Sequence, residues 1–358
     1  MSKSGPWFGS LAVKEVSPEF EINDVGFHGR VDYRAVSPFW GYQSNEKKKY
    51  TQNYFAGVWS NYAWNFDGTN IFHSYGGSTS ATFNNMWGAN IGGNVAPRYY
   101  SDRLLRGGPL ALQPSYYTIN ANFWTDSRRK IWTNPYINHQ RFADGSWSAG
   151  GGLYTESRPT TTVRVTLNPN LFRQQSHSQF VRAVPDALAD ATYDMRYVFA
   201  DLDQTTFVLE TRVEWTFTSK LSLQSYIQPF VAVGRFDDLK EFTTPRGFDF
   251  AVYGRDRGTI TPGADANGAA NYTIDPDDAG PAPPFTVRNP NFNSHSLRGN
   301  AVVRWEYRPG STIFLVWQQE RSGAESSFDF DAQRDVGAIF RERPTNVLMV
   351  KAVYWLSR

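Results

Sequence analysis

Apolar and polar residues alternate with a period of two through most of the chain, most clearly near its end. From Asn300 to Arg308 the residues Ala301, Val303, Trp305 and Tyr307 alternate with Val302, Arg304, Glu306 and Arg308. Successive side chains of a strand point to opposite faces, so this segment predicts a strand with one apolar, aromatic face and one largely ionic face. Pro309-Gly310-Ser311 supplies a tight turn into Thr312–Gln318. After a polar insertion, Leu348, Val350, Ala352, Tyr354 and Leu356 alternate with Met349, Lys351, Val353 and Trp355.

The same pattern predicts about fourteen strands. They cover 7–16, 25–36, 50–66, 70–83, 86–98, 116–126, 130–139, 146–157, 162–171, 206–218 and 221–234, followed by the three just described. In the second, Phe27, Val31, Tyr33 and Ala35 oppose His28, Arg30, Asp32 and Arg34. In 162–171, Val163, Val165 and Leu167 oppose Arg164 and Thr166. In 206–218, Phe207, Leu209, Val213, Trp215 and Phe217 oppose Glu210, Arg212 and Glu214. Helical character is confined to 180–191, where Pro185 limits a helix to about two turns.

The connections alternate in length. Short ones fall near 45–49, 84–85, 127–130, 158–161, 218–220 and 309–311, and long ones at 99–114, 172–204, 235–296 and 322–345. Short turns at one rim, long loops at the other and strands of about ten residues predict one domain over 1–358: an all-β, antiparallel transmembrane β-barrel of about 14 strands with short periplasmic turns and long extracellular loops. An even strand number places both termini at the periplasmic rim. A soluble sandwich or propeller would alternate too, so the loop asymmetry decides. Trp64, Trp87, Trp147, Trp215, Tyr307 and Tyr354, near strand ends, are the candidate interfacial anchors.

Composition sharpens this picture. Aromatic residues make up 16% of the chain but hydrophobic residues only 40%, a balance that suits aromatic girdles around a wet interior better than a large aliphatic core. A net charge of +2 gives no sign of a nucleic-acid partner. Cysteine is absent, which excludes disulfides and thiolate chemistry. No run of eighteen apolar residues exists, and the first residues lack the apolar core of a signal peptide. A chain reaching an outer membrane is therefore expected to be a piece of a longer protein.

On the barrel reading the ionic faces line a lumen. Its candidate residues are Arg30, Asp32, Arg34, Arg164, Glu210, Arg212, Glu214, Arg304, Glu306, Arg308 and Lys351. The loop Asp102–Pro109 adds Arg103 and Arg106, as a constriction favouring anions or as a structural latch; both readings stay open. Catalytic signals are weak. The five histidines, at 28, 73, 139, 177 and 295, show no metal-ligand spacing, and no Gly-x-Ser-x-Gly elbow occurs. Glu210 and Glu214 resemble a glycosidase pair, but Arg212 between them favours a charge ladder. No catalytic or metal-binding residue is assigned and no cofactor is expected. Asp265-Ala-Asn267-Gly268 and Asp275-Pro-Asp-Asp278 offer oxygen ligands for Ca²⁺ on outer loops, yet neither completes a binding loop, and solvated turns are the simpler reading. The paired glycines at 76–77, 92–93, 107–108 and 150–152 suit bends or close approach of a lumenal loop.

Several blocks resemble domain-of-unknown-function family 5916. They are Asp102-Arg-Leu-Leu-Arg-Gly-Gly-Pro109, Tyr197-Val-Phe-Ala-Asp-Leu-Asp-Gln204, Asn289-Pro-Asn-Phe-Asn293, the run Leu297–Ser311 and the ending Tyr354-Trp-Leu-Ser-Arg358. The resemblance extends from Phe20 onward. It implies an envelope protein of Gram-negative bacteria whose relatives carry a signal peptide and a carbohydrate-binding-module-like β domain ahead of this region. It implies no activity. The expected function is thus an outer-membrane β-barrel, either a porin-like channel for small solutes or a membrane anchor for a periplasmic β domain. Its expected partners are the lipid bilayer, lipopolysaccharide and small solutes or saccharides. An envelope hydrolase and a soluble β scaffold of a carbohydrate-active protein are the alternatives.

Overall fold

The structure, a computed structural model, describes residues 6–22, 24, 26 and 29–356. It begins with β1 (Trp7–Val16), β2 (Tyr33–Ser44), β3 (Thr51–Trp64), β4 (Asn70–Phe83) and β5 (Gly88–Ala96). A short pair, β6 (Tyr99–Ser101) and β7 (Ala111–Gln113), precedes β8 (Tyr116–Trp124), β9 (Ile131–Phe142) and β10 (Trp147–Thr160). Three long strands follow: β11 (Val163–Pro185), β12 (Met195–Thr218) and β13 (Leu221–Phe242). An insertion holds β14 (Phe250–Val252), β15 (Thr259–Ala264), β16 (Ala270–Asp275) and β17 (Phe285–Arg288). The chain ends with β18 (Phe292–Arg308), β19 (Ser311–Ala324), helix α1 (Ala332–Arg341) and β20 (Thr345–Val353).

The fold is all-β. One antiparallel meander runs β1-β2-β3-β4-β5-β8-β9-β10-β11-β12-β13-β18-β19-β20, with β14 pairing beside β13. β1 and β20 are its edges and are not hydrogen-bonded to each other, so the sheet is open. One rim carries the connections 45–50, 84–87, 125–130, 161–162, 219–220 and 309–310. The other carries 17–32, 97–115, 186–194, 243–291 and 325–344, with only 65–69 and 143–146 short. The alternation of short and long connections seen in the sequence is present, and β1 begins and β20 ends at the short-turn rim.

Three expectations are corrected. The strand placed at 25–36 is β2, shifted to Tyr33–Ser44; Val25, Phe27 and His28 lie outside the described residues. The loop expected over 172–204 is mostly strand, because β11 continues to Pro185 and β12 starts at Met195. The helical stretch at 180–191 is the end of β11 followed by a single 3₁₀ turn at Asp190–Thr192. Phe180, Ala183 and Val184 pack against neighbouring clusters instead of along a helix face. The longest helix, α1, is one the period-two reading passed over.

Buried apolar clusters gather toward the long-loop rim, where β11, β12 and β13, of 23, 24 and 22 residues, outrun their neighbours. On β12, Val198 and Ala200 pack with Leu239, Tyr253, Ile274 and Val287. Tyr197 and Phe199, pointing the other way, pack with Leu105, Ala111 and Phe242. This part of β12 is therefore covered on both faces, and we refer to it with its surroundings as the cap. A third cluster sets Ile339 of α1 against Val231, Val233 and Leu297. Asp331 starts α1 by accepting a bond from the Arg334 N–H at 2.7 Å.

An ionic hub ties the cap together. Buried Arg196 donates to Asp186 at 2.5 Å and to both oxygens of Glu241 at 2.9 Å. Glu241 also accepts from Arg257 at 2.9 Å and from the Tyr253 hydroxyl at 2.7 Å. Burial alone would push the Asp186 carboxyl up, but the Leu188 N–H and the Arg196 guanidinium outweigh it and hold it below the usual carboxylate range. Arg196→Met keeps the stem, strips buried Asp186 of its cation and leaves Glu241 only Arg257 and Tyr253, so the cap should lose about 3–5 kcal/mol of local stability. Faster hydrogen exchange at Tyr197–Ala200, with β4–β9 unchanged, is the expected reading; equal protection would mean the ion pairs contribute nothing. A depressed carboxylate stabilises above its unfolded pKa of about 3.9 and loses that contribution as pH falls through its folded value. Cap protection should therefore hold at about pH 5 and decline below about pH 4.

Candidate functional site: the polar face of the sheet

Register assigns every strand residue to one of two faces. One row across the sheet reads Val165, Val213, Ser225, Ala301, Trp317, Leu348. The next reads Thr166, Arg212, Tyr226, Asn300, Gln318, Val347 and points the other way. The apolar face is uncovered over mid-strand, with Leu11, Val13, Leu348 and Val350 exposed by 66%, 71%, 78% and 73%. The polar face is where chemistry gathers, and it divides into two regions.

Near the short-turn rim the polar face is ionic. Arg164 pairs with Glu214 at 3.3 Å and lies 3.8 Å from Glu156, which also binds Arg158. Glu210 accepts from Gln228 at 3.3 Å, Asn168 at 3.4 Å and Tyr226 at 3.5 Å. The Arg212 guanidinium stands 5.0 Å from the Tyr226 ring, and Arg304 pairs with Glu306 at 3.4 Å. Arg308 donates to the Tyr354 hydroxyl at 2.6 Å, and Lys351 takes the position beside Phe314. Arg158, Arg164, Arg212 and Arg304 match Glu156, Glu210, Glu214 and Glu306 in number, and Arg308 and Lys351 leave the patch with an excess of positive charge. With Arg212 beside Tyr226 and Arg164 on Glu214, the two glutamates sit in a charge ladder, without the acid–nucleophile arrangement of a glycosidase.

Toward the middle, the polar face loses its charges. Three consecutive rows cross it from β4 to β12. The first reads Ser80, Asn90, Asn122, Tyr136, Gly152, Asn170 and Val208; the second Ser78, Gly92, Asn120, Asn138, Gly150, Phe172 and Thr206. The third reads Gly76, Asn94, Thr118, Gln140, Ser148, Gln174 and Gln204. Amides and hydroxyls bond one another along this belt: Asn170 to Tyr136 at 2.7 Å, Gln174 to Gln204 at 2.9 Å, Asn122 to Asn134 at 3.3 Å, and Thr118 to Asn94. Asn120 and Asn138 stay exposed, between Gly92 and Gly150. The sequence carries these asparagines at alternate positions, but only register shows that they are neighbours.

Glycines on this face receive aromatic rings from adjacent strands rather than a folded-back loop. A Cβ on Gly76 would lie 2.5 Å from the Trp59 ring, and one on Gly152 would lie 2.6 Å from the Tyr136 hydroxyl. Such contacts fix the two strands against each other.

The remaining candidates lie elsewhere. Arg34 is on the apolar face, because β2 starts at Tyr33; it pairs there with Glu15 at 3.0 Å, at the long-loop rim. Asp32 has a left-handed backbone (φ 58°) and accepts the Phe66 N–H at 2.9 Å. Arg30 binds Asp102 at 2.6 Å, and Arg103 donates to the Gly29 carbonyl at 2.8 Å. Arg106 stacks 4.4 Å from the Phe180 ring while Leu105 is buried in the cap. The 97–115 loop is thus latched to the cap and to the 17–32 loop, away from the ionic patch; the structure does not bring the two groups of arginines together.

Of the other signals, His177 bonds Asp201 at 2.9 Å with Lys240 on the same carboxylate, and His295 is buried beside Glu342 at 3.1 Å. Asp265 accepts the N–H groups of Asn267 and Ala269, capping its own turn. Among the described residues no group of three or more His, Cys, Asp or Glu is placed to hold a metal ion.

No curated protein matches the chain. A family model described as a domain of unknown function, DUF5916, matches residues 1–256 and stops short of the blocks at 289–293, 297–311 and 354–358. That span is well over half of the 358 residues, and the chain belongs to the DUF5916 family.

Proposed function

We propose that the chain forms a β-barrel in the outer membrane of a Gram-negative bacterium, with the polar face around a lumen that passes small solutes. The observation that carries this reading is the apolar face. Among the described residues it bears no acidic or basic side chain from Trp7 to Val13 on β1, Phe207 to Phe217 on β12, Leu221 to Val233 on β13 or Leu297 to Trp305 on β18. Charges on these strands and their neighbours begin toward the long-loop rim, at Glu15, Arg34, Arg141, Arg173, Asp203, Arg235 and Arg321. The charge-free segment of β12 is about eleven residues, the length a tilted strand needs to cross hydrocarbon. In water, an uncovered apolar surface of this extent would drive aggregation.

A lipid-facing sheet must leave no unpaired edge, since each unsatisfied backbone group in hydrocarbon costs several kcal/mol. On this reading β1 and β20, both starting or ending at the short-turn rim, pair and close the barrel. The short turns then face the periplasm and the cap stands outside, the arrangement of bacterial barrels. Anchoring a periplasmic domain is compatible with the same geometry, because β1 begins and β20 ends at the short-turn rim.

Three experiments test this. Detergent-folded protein should migrate faster on a gel before heating than after, and identical migration would speak against a barrel. Val213→Arg, at the centre of the charge-free segment, should destabilise the folded protein by about 2–4 kcal/mol in urea titrations from lipid vesicles; a change below about 0.5 kcal/mol, ordinary for a solvated surface site, would sink the lipid-facing assignment. The cysteine-free chain also permits a clean closure test. Paired cysteines at Leu11 or Val13 and at Leu348 or Val350 should crosslink within one chain in at least one register, at the roughly 5.5 Å Cα separation a disulfide requires. Crosslinks only between chains would mean the edges join different copies.

A further inference from the structure

We infer that the neutral belt on the polar face is a binding lane for uncharged oligosaccharide, centred on the exposed cross-strand pair Asn120 and Asn138. The inference rests on the barrel reading, which puts this face in the solute's path. Its own support is the composition and geometry of the belt.

An amide side chain offers both donors and an acceptor, as a sugar hydroxyl does, so a surface of amides can satisfy hydroxyls in either sense. Three adjoining rows of such residues, with no charged side chain among them, supply that surface. An ionised solute would give up hydration there without gaining a counter-charge. The ionic patch lies off the belt toward the short-turn rim, and its Arg158, Arg164 and Arg304 are paired with Glu156, Glu214 and Glu306. Gly92 and Gly150 stand on either side of this pair and contribute no side chains, and Asn120 and Asn138 are exposed. Tyr136, two residues before Asn138 on β9, and Phe172, opposite Gly150 on β11, provide ring surface for the C–H faces of a sugar. Tyr136 is held in place by the Asn170 amide at 2.7 Å. Strand spacing of about 4.8 Å makes the belt wide enough for several sugar units in succession.

The test uses the full chain folded in detergent and reconstituted in planar bilayers, with maltohexaose as the neutral probe and trigalacturonate as the charged one. Maltohexaose should interrupt the ion current in a concentration-dependent way, and trigalacturonate should interrupt it at least tenfold less effectively. Asn120→Leu with Asn138→Leu removes the exposed amides without adding charge, and should weaken the maltohexaose interruption about tenfold through the lost hydrogen bonds. Unheated gel migration of the variant should match the parent, showing that the wall is intact. Current with no maltohexaose effect, or equal effects of the two sugars, overturns the inference and leaves the barrel standing. An unchanged response in the double variant moves the lane away from Asn120 and Asn138 and overturns the assignment made here. Loss of heat-modifiable migration in the parent protein overturns the barrel reading itself.

Discussion

Register between neighbouring strands is the constraint on which the rest of this molecule depends. A slip of one residue would carry every apolar side chain to the polar face and every amide and ion to the other. Two features hold it. Two-residue connections at 161–162, 219–220 and 309–310 allow the flanking strands few alternative pairings. Rings seated over glycines lock other strands: Trp59 on Gly76, Tyr136 on Gly152 and Phe292 on Gly234 leave no room for a Cβ. A slipped strand would bring a side chain under each ring.

Cohesion is arranged differently in the two halves of the chain. Mid-strand, the wall is held by its backbone ladder and by a lattice of amides, hydroxyls and ion pairs on one face. Toward the long-loop rim, the same strands enter ordinary hydrophobic clusters around Val198, Phe199 and Ile274 and the buried hub at Arg196. The latching loop at 97–115 belongs with the second regime, because Leu105 and Ala111 are buried against Tyr197 and Phe199.

Much of the wall was legible in the sequence. Alternation located the strands, and the lengths of the connections separated the two rims, because both are local properties. Failures came where tertiary contacts override local pattern. Residues 180–184 and 195–200 lose the alternation because both faces are covered: Phe180 and Ala183 pack on one cluster, Val181 and Val184 on another, and Val198, Phe199 and Ala200 are consecutive and all buried. Pro38 and Gly41 concealed the second half of β2, and this misplaced Arg34 by a face. Helix α1 packs through Val336 and Ile339, three residues apart, but these lay inside a polar insertion. The ionic ladder residues were visible as types; their partners were not, since Glu156 meets Arg164 only through the pairing of β10 with β11.

The lengths of β12 and β13 also bear on how the sheet is assembled. Their two-residue connection gives this hairpin the smallest loop-closure entropy available, and its outer half carries hydrophobic clusters of its own. Growth is expected to start at that hairpin and proceed outward in both directions, through β11 and β10 on one side and β18 and β19 on the other. The terminal strands, which have a neighbour on one side only, then arrive last. Time-resolved hydrogen exchange that protected β1 before β12 would contradict this order. A sheet built from its middle tests the register of each new strand against one already fixed.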